Sequence, residues 1–173
     1  MIRAYKIGLT VLAATFGIVS MAQAEDHIGG HIGFVLPLYT HDGGRNINDL
    51  SSQFSIGFPV GITVKGSGRT AFDLELVPAI HTARPRDTSL TVHPGVVWSV
   101  GHGWGAGVRA AFDVNSSSWG FTPLVNHSWP LRNEQGFFKA WFIEGVLPVR
   151  FQRPVGGPMT DPVTAGVHLG LAF

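Results

Sequence analysis

The chain has 173 residues, of which only 13% are charged and 45% are hydrophobic, and it contains no cysteine. Soluble domains carry about 25% charged residues, so this composition argues against an ordinary well-solvated surface. With 12 basic against 11 acidic residues there is no basic field for a nucleic acid. The lack of cysteine excludes disulfide scaffolds, thiolate metal sites and cysteine nucleophiles.

The first 24 residues have the organisation of a secretory signal peptide. Arg3 and Lys6 form a positive n-region, residues 7–21 form an uncharged apolar stretch, and residues 22–24 (Ala-Gln-Ala) form a small-x-small cleavage motif. The apolar stretch is shorter than the ~20 residues that a membrane-spanning helix needs. We therefore expect cleavage and one mature domain over 25–173, which has no long apolar run of its own.

The mature chain alternates apolar and polar residues almost throughout. Between Phe54 and Val64, six apolar residues alternate strictly with small or polar ones, a phase that a helix does not keep. The same period predicts eight strands, at about 27–39, 53–65, 70–82, 90–100, 104–114, 119–129, 137–151 and 162–173. Strands of ~9–11 residues cross a bilayer when tilted, and eight is the smallest typical barrel. The predicted fold is therefore all-β, an eight-stranded antiparallel up-and-down transmembrane β-barrel.

The connections predict an orientation with both termini in the periplasm. The inner turns are then Gly66–Gly68, Gly101–Gly103 and Pro130–Gly136. The outer loops are Thr40–Ser51, Ala83–Ser89, Asn115–Ser118 and Gln152–Asp161. Short inner turns with longer outer loops are typical of outer-membrane barrels. Six prolines inside the predicted strands indicate bends or bulges there: Pro37, Pro59, Pro78, Pro94, Pro123 and Pro148.

Large aromatic residues fall near the predicted periplasmic ends of the strands. They are Trp98, Trp104, Trp129, Phe137 and Phe173. Aromatic rings are enriched at the depth of lipid headgroups, so we expect these five to form the inner aromatic girdle.

The last seven residues, Val167 to Phe173, place apolar side chains at alternate positions and end in phenylalanine. This pattern resembles the C-terminal signal of outer-membrane β-barrel proteins. With the signal peptide and eight strands, the mature chain is similar in architecture to small barrels of the OmpA or OmpX type. The resemblance implies the outer membrane of a Gram-negative cell envelope, with Phe173 as the assembly signal for the barrel-assembly machinery.

Charged residues on the polar face of the strands point into the lumen if the apolar face meets lipid. Counted from the periplasmic ends, Asp73, Glu75, Arg109 and Glu144 lie at similar heights. A lone buried charge is very costly, so we expect these four to form an ion network that plugs the lumen. His31 and His168 lie at matching heights on the first and last strands, and we expect them to be neighbours. A narrow channel remains an alternative, and no metal-ligand spacing supports a metal site.

The outer loops carry the first catalytic alternative, a lipid A or phospholipid-modifying enzyme. His41 and Asp42 lie in the first predicted loop, and Asp87 and Ser89 lie in the second. These residue types resemble the catalytic set of lipid A palmitoyltransferases, which are also eight-stranded barrels. The chain lacks the Asp-Ser dipeptide of that family, and His41, Asp87 and Ser89 remain weak candidates.

A second catalytic alternative is a Ser/His lipid hydrolase at Asn126-His127-Ser128. Adjacent residues on a strand point to opposite faces, so His127 is badly placed to activate Ser128.

Four arginines of the predicted outer loops could pair with the phosphates of lipopolysaccharide, because guanidinium binds phosphate in a bidentate fork. They are Arg45, Arg84, Arg86 and Arg153. We expect a monomeric, non-catalytic barrel of structural or surface-interaction type, without a cofactor, whose partners are outer-membrane lipids and lipopolysaccharide. A third class is a soluble β-barrel that binds an apolar ligand, which requires the apolar face to point inward.

Overall fold

The computed structural model describes residues 27–82, 87–132, 136–153 and 157–173. The predicted signal peptide lies outside the described residues. Within them the chain forms eleven strands and one short helix, α1 (Asp49–Ser52). The strands are β1 (His27–Asp42), β2 (Arg45–Asn48), β3 (Ser55–Gly57), β4 (Val60–Lys65), β5 (Thr70–His81), β6 (Asp87–Gly101), β7 (Trp104–Asp113), β8 (Trp119–Pro130), β9 (Ala140–Val146), β10 (Val149–Phe151) and β11 (Val163–Ala172).

The strands close into one antiparallel ring. β1 pairs with β11 from His31 opposite Ala172 to His41 opposite Val163, and β5 to β9 pair in chain order. β3 and β4 together form one position of the ring between β1 and β5. β9 and β10 together form another, between β8 and β11. The described chain therefore confirms the predicted eight-stranded antiparallel barrel, in which each of the eight ring positions has two neighbours. β2 lies outside the ring and pairs with β1 alone.

The barrel has two distinct ends. At the turn end, β4 joins β5 and β6 joins β7. The first described residue, His27, and the last residue, Phe173, lie at this same end. At the loop end, β1 turns into β2 and β7 joins β8. The β6–β7 turn has three consecutive residues with positive φ, Gly101, His102 and Gly103. Glycine adopts this conformation without strain, whereas His102 is a non-glycine residue in the left-handed region. No helix of the described residues is long and apolar enough to cross a membrane.

The side chains are arranged inside out relative to a soluble protein. Ionisable groups of the strands are buried in the lumen, among them Asp73, Glu144 and His168, each about 1% exposed. Apolar side chains cover the outside, as at Ile62 (55% exposed) and Leu76 (44%). A few apolar residues share the lumen, including Phe142. The polar positions of the alternating pattern therefore face inward. This arrangement excludes the alternative of a soluble barrel whose lumen is lined by the apolar positions.

The first two predicted outer loops are shorter than the sequence indicated. β1 continues to Asp42 and forms a hairpin with β2, in which Asp42 lies opposite Arg45. Gly43 and Gly44 both have positive φ, which matches the tight two-residue turn that Gly-Gly favours. At the second loop, β6 begins at Asp87, so Asp87 and Ser89 lie in a strand and the prediction that both are loop residues is wrong.

Three of the six strand prolines coincide with irregularities. Pro59 separates β3 from β4, Pro148 separates β9 from β10, and the β1–β11 register shifts between Pro37 and Tyr39. The other three lie in uninterrupted strands, where bends were expected: Pro78, Pro94 and Pro123. The seventh predicted strand also starts later than expected, at Ala140.

Candidate functional site

The central feature of the lumen is a charged cluster in which side chains reach across the ring. Two rows of the sheet position it. In the first row, Asp73 of β5 lies opposite Gly95 of β6, and Gly95 lies opposite Arg109 of β7. In the second row, His31 of β1 lies opposite Gly61 of β4, and Gly61 lies opposite Glu75 of β5.

The glycine in the middle of each row allows the two residues that flank it to meet inside the lumen. A Cβ atom at Gly95 would lie 2.6 Å from Cγ of Arg109, and one at Gly61 would collide with the ring of His31. The arginine and histidine side chains therefore lie over strand positions that have no side chain. Each reaches the carboxylate two strands away.

Arg109 joins three carboxylates. Its Nε donates to Asp73 Oδ2 at 2.7 Å, and its Nη1 donates to Glu144 Oε1 at 2.8 Å. The same Nη1 lies 3.6 Å from Glu75 Oε2. The four residues of the predicted ion network thus lie together, with at most 4% of each side chain exposed. The rigid fork of the guanidinium suits this arrangement better than the point charge of a lysine.

Histidines surround Glu75. His31 Nε2 donates to Glu75 Oε2 at 3.0 Å, and His168 Nδ1 lies 3.8 Å from the same oxygen and 3.3 Å from Glu144 Oε1. The rings of His31 and His168 are 5.7 Å apart, so the two residues are neighbours as expected. Their backbone positions are offset, because His31 lies opposite Ala172 and His168 lies opposite Val35 in the ladder. His31 also meets the edge of Phe142, with ring centroids 5.8 Å apart.

The hydrogen bonds of His93 define its protonation state. Arg150 Nη2 lies 3.0 Å from His93 Nε2, and because an arginine nitrogen can only donate, Nε2 is the acceptor. The proton of the imidazole therefore sits on Nδ1, which donates to Glu75 Oε1 at 2.9 Å. His93 is neutral in this arrangement, and it connects Arg150 of β10 to Glu75 of β5.

Neutral side chains complete the hydrogen bonding of the carboxylates, and the sequence reasoning did not assign them to the network. Thr63 Oγ1 donates to Asp73 Oδ1 at 2.8 Å, and Asn126 Nδ2 donates to Glu144 Oε2 at 3.3 Å. Thr122 accepts from Arg150 Nη1 at 3.1 Å. In the sequence, Thr63 and Thr122 belong to the alternate positions of β4 and β8 that face the lumen, and this was the signal that could have found them. Across the ladders, Thr63 pairs with Asp73 and Thr122 pairs with Arg109.

Among the described residues, Glu75, Glu144 and His168 could together offer ligand atoms to a metal ion. Arg109 Nη1 already lies against Glu144 Oε1 and near Glu75 Oε2. The guanidinium therefore supplies the cation that these oxygens would otherwise attract, and the donor set does not fit an added metal.

A cavity of about 280 Å³ leads from the turn end to the cluster. Lys65 and Arg69 line its mouth region, and Asp73, Arg109 and Glu144 line the part that reaches the cluster. The turn-end part of the lumen is therefore a vestibule that leads to the charged cluster.

The weak catalytic candidates of the outer loops do not meet. His41 Nδ1 is 2.8 Å from Asn46 Oδ1, whereas Ser89 Oγ is 2.9 Å from His81 Nε2. In the ring, β3 and β5 lie between β1, which carries His41, and β6, which carries Asp87 and Ser89.

The second catalytic candidate is also divided between the two faces of its strand. Asn126 points inward to Glu144, and His127 packs between Trp104 and Trp129. Ser128 donates its hydroxyl to the carbonyl of Gly103 at 3.3 Å.

Two of the four candidate lipopolysaccharide arginines are described. Arg45 in β2 and Arg153 after β10 are both exposed at the loop end. Arg84 and Arg86 lie outside the described residues.

Among solved structures, the chain is similar to the outer membrane protein OprG from Pseudomonas aeruginosa. The two share 11% sequence identity with a TM-score of 0.37, over 88% of this chain and 97% of that chain. No protein-family model matches the chain, and no curated protein matches it.

Proposed function

We propose that this chain is a small integral outer-membrane β-barrel protein of structural or surface-interaction type, with a lumen closed by the charged cluster. The observation that carries the proposal is the inside-out distribution of its side chains. Asp73 and Glu144 are buried while Ile62 and Leu76 are exposed. A water-soluble barrel would have to solvate a continuous apolar belt, which soluble monomers rarely expose.

Aromatic residues flank this belt at both ends, as they do in barrels that cross a membrane. At the turn end, Trp129 stacks on Trp141 with ring centroids 4.1 Å apart. At the loop end, Trp119 lies 4.7 Å from Phe151. These rings suit the two headgroup regions of a bilayer.

Export, membrane insertion and closure can be tested together. Outer-membrane fractions run on a denaturing gel with and without boiling should contain the protein and show a mobility shift, because closed barrels resist detergent until heated. Recovery from the soluble periplasm with no shift would contradict membrane insertion.

The closed lumen supports a non-conducting barrel. The cluster joins β5, β7 and β9 through Arg109 and joins β6 to β10 through Arg150, so bonds cross the lumen in several directions. In planar bilayers we expect no stable conductance steps from the natural chain. A double variant, Glu75→Ser with Arg109→Ser, would empty part of the cluster and serves as the control. Stable conductance steps from the natural chain, as large as those of the double variant, would favour the narrow channel.

A lipid-modifying enzyme is the competing class, and the hydrogen bond between His81 and Ser89 at 2.9 Å is the contact that favours it. Lipid A and phospholipid mass spectra from strains with and without the gene would separate the two classes. We expect unchanged acyl patterns. A changed pattern that is lost in Ser89→Ala, with His41→Ala as the comparison, would contradict a non-catalytic role.

Lipopolysaccharide is the proposed partner of the loop end, where Arg45 and Arg153 are exposed. Replacement of both by glutamine should weaken binding of the folded barrel to lipopolysaccharide micelles but not to lipid A without phosphate groups. Equal binding of the two proteins to phosphorylated lipopolysaccharide would contradict this contact.

A further inference from the structure

We propose that the vestibule at the turn end binds a small soluble solute that carries one phosphate group, such as a polyol phosphate, with the phosphate between Lys65 and Arg69. The proposal adds a ligand site to a barrel whose proposed role is structural. It depends on the interior of the lumen alone and holds whichever side of the outer membrane the turn end faces.

Two basic side chains of one hairpin lie together at the mouth of the vestibule. Lys65 ends β4 and lies opposite Ala71 of β5, and Arg69 is two residues before Ala71. All three therefore share the lumen-facing side of the hairpin, and Lys65 and Arg69 both line the vestibule. Diagonal neighbours of this kind are about 7–8 Å apart, within reach of one another for long side chains. A phosphate monoester, with about −1.5 to −2 charge at pH 7 and three acceptor oxygens, matches two such cations better than a single carboxylate.

Lys65 and Arg69 have no anionic partner in the part of the chain that the structure describes. Both side chains are exposed, and neither forms an ion pair or a side-chain hydrogen bond there. Phe173 lies at the same end, but no ion pair joins its terminal carboxylate to either cation. The described acidic side chains outside the charged cluster lie toward the loop end, and they are Asp42, Asp49, Asp87, Asp113 and Asp161. We therefore expect the anion that pairs with the two cations to come from solution.

Further polar groups of the vestibule wall suit a phosphate at the mouth and hydroxyl groups across the lumen. The backbone N–H of Ser99 donates to the carbonyl of Arg69 at 2.8 Å, so the two residues are neighbours. The Ser99 hydroxyl has no partner among the described residues and can donate to the same phosphate. Across the lumen, Asn126 of β8 lies over Gly105, where a Cβ atom would come within 2.5 Å of Asn126 Oδ1. Because Asn126 Nδ2 already donates to Glu144, Oδ1 is the atom that can accept from a hydroxyl of the solute.

The size and the inner end of the vestibule limit the solute to one anionic group. Its volume of about 280 Å³ is at the lower end of the range of ligand pockets, about 300–1,000 Å³, which suits a small metabolite. Asp73 and Glu144 line the inner end against a single guanidinium, that of Arg109. These carboxylates are buried and bonded to Arg109, so they act on a solute through their charge and not by contact. A second anionic group at the inner end of the solute would be repelled.

The test is a phosphorus NMR titration of glycerol phosphate with the barrel refolded in octyl glucoside, a detergent without charge or phosphate. Lys65→Gln and Arg69→Gln each remove one cation of the vestibule. Arg132→Gln is the matched control, because Arg132 is an exposed cation after β8 that does not line the vestibule. The matched ligand is phosphoglycerate, which keeps the carbon chain and the phosphate and adds a carboxylate at the other end.

We expect the natural chain and Arg132→Gln to bind glycerol phosphate equally, and Lys65→Gln and Arg69→Gln to bind it about tenfold more weakly, the loss of one charge-assisted hydrogen bond. Phosphoglycerate should bind more weakly than glycerol phosphate, although it carries more negative charge. The absence of binding would overturn the proposal. An equal loss in Arg132→Gln, or tighter binding of phosphoglycerate, would also overturn it, because either result would show only diffuse attraction to basic side chains.

A second titration, in vesicles, separates a soluble phosphate from a lipid headgroup. Phosphatidylglycerol in place of phosphatidylcholine should leave the binding of glycerol phosphate unchanged. Displacement of glycerol phosphate by this lipid would assign the two cations to headgroups and overturn the vestibule as the site. The gel mobility shift of each variant checks that it has folded, and a natural chain that refolds without binding contradicts this proposal but not the proposed function.

Discussion

Replacement of Arg109 by methionine is expected to destabilise the barrel strongly. The substitution keeps an unbranched side chain over Gly95 but removes both short hydrogen bonds, to Asp73 at 2.7 Å and to Glu144 at 2.8 Å. It leaves these two carboxylates and Glu75 in the lumen without their arginine. Breaking a buried ion pair by removing one partner costs about 3–5 kcal/mol, and we expect a loss within that range.

The physical reason can be separated from simple loss of packing by a second variant. Asp73→Asn and Glu144→Gln added to Arg109→Met remove two of the three stranded charges, those that Arg109 bonds most closely, while keeping similar volumes. Because the cost arises mainly from uncompensated charge, this triple variant should recover about 2 kcal/mol relative to Arg109→Met alone.

Equilibrium urea unfolding of the barrels refolded into phospholipid vesicles measures these differences. Arg45→Met is the control, because Arg45 is exposed in β2 and surface substitutions usually change stability by about 0.5 kcal/mol or less. If Arg109→Met loses no more than the Arg45 control, or if the triple variant is less stable still, the cluster is not held together by charge compensation.

Two further predictions concern close backbone approach. Gly61→Val should destabilise the barrel by about 1–3 kcal/mol in the same urea assay, as overpacking does. The valine side chain would displace His31 from Glu75. Unchanged stability would show that the imidazole ring of His31 can move away freely. Deletion of Phe173 removes two backbone hydrogen bonds with Gly30, both 2.9 Å, and the proposed assembly signal. We expect a lower heat-modifiable fraction in the outer membrane but normal refolding yield in detergent, and equal loss in both would point to stability alone.

The sequence predicted the barrel because period two is a direct consequence of strand geometry. The alternation at Phe54–Val64 placed one phase inward, and counting from the strand ends brought Asp73, Glu75, Arg109 and Glu144 to one height. Both inferences need only the rise per residue of a strand and the fact that successive side chains point to opposite faces.

Other features depend on contacts between distant residues that the sequence does not reveal. The spaces above Gly61 and Gly95 exist only because of the register of neighbouring strands. The continuation of β1 into a hairpin with β2 was predicted as loop, because a short polar segment around Gly43-Gly44 is compatible with either. The pairing of His93 with Arg150 crosses the ring between residues 57 positions apart.

A single-cysteine scan along β5 tests the inside-out barrel most directly, and the natural chain has no cysteine to interfere. Spin labels at each position from 72 to 80, in protein refolded into vesicles, would be probed with oxygen, which partitions into lipid, and with a water-soluble nickel complex. Labels replacing Leu74, Leu76 and Ile80, which are exposed outward, should respond to oxygen and not to nickel. Labels at the inward positions between them should show the weaker oxygen response of a packed lumen. Nickel access at the outward positions, or no alternation at all, would contradict the membrane-facing assignment on which the proposed function rests.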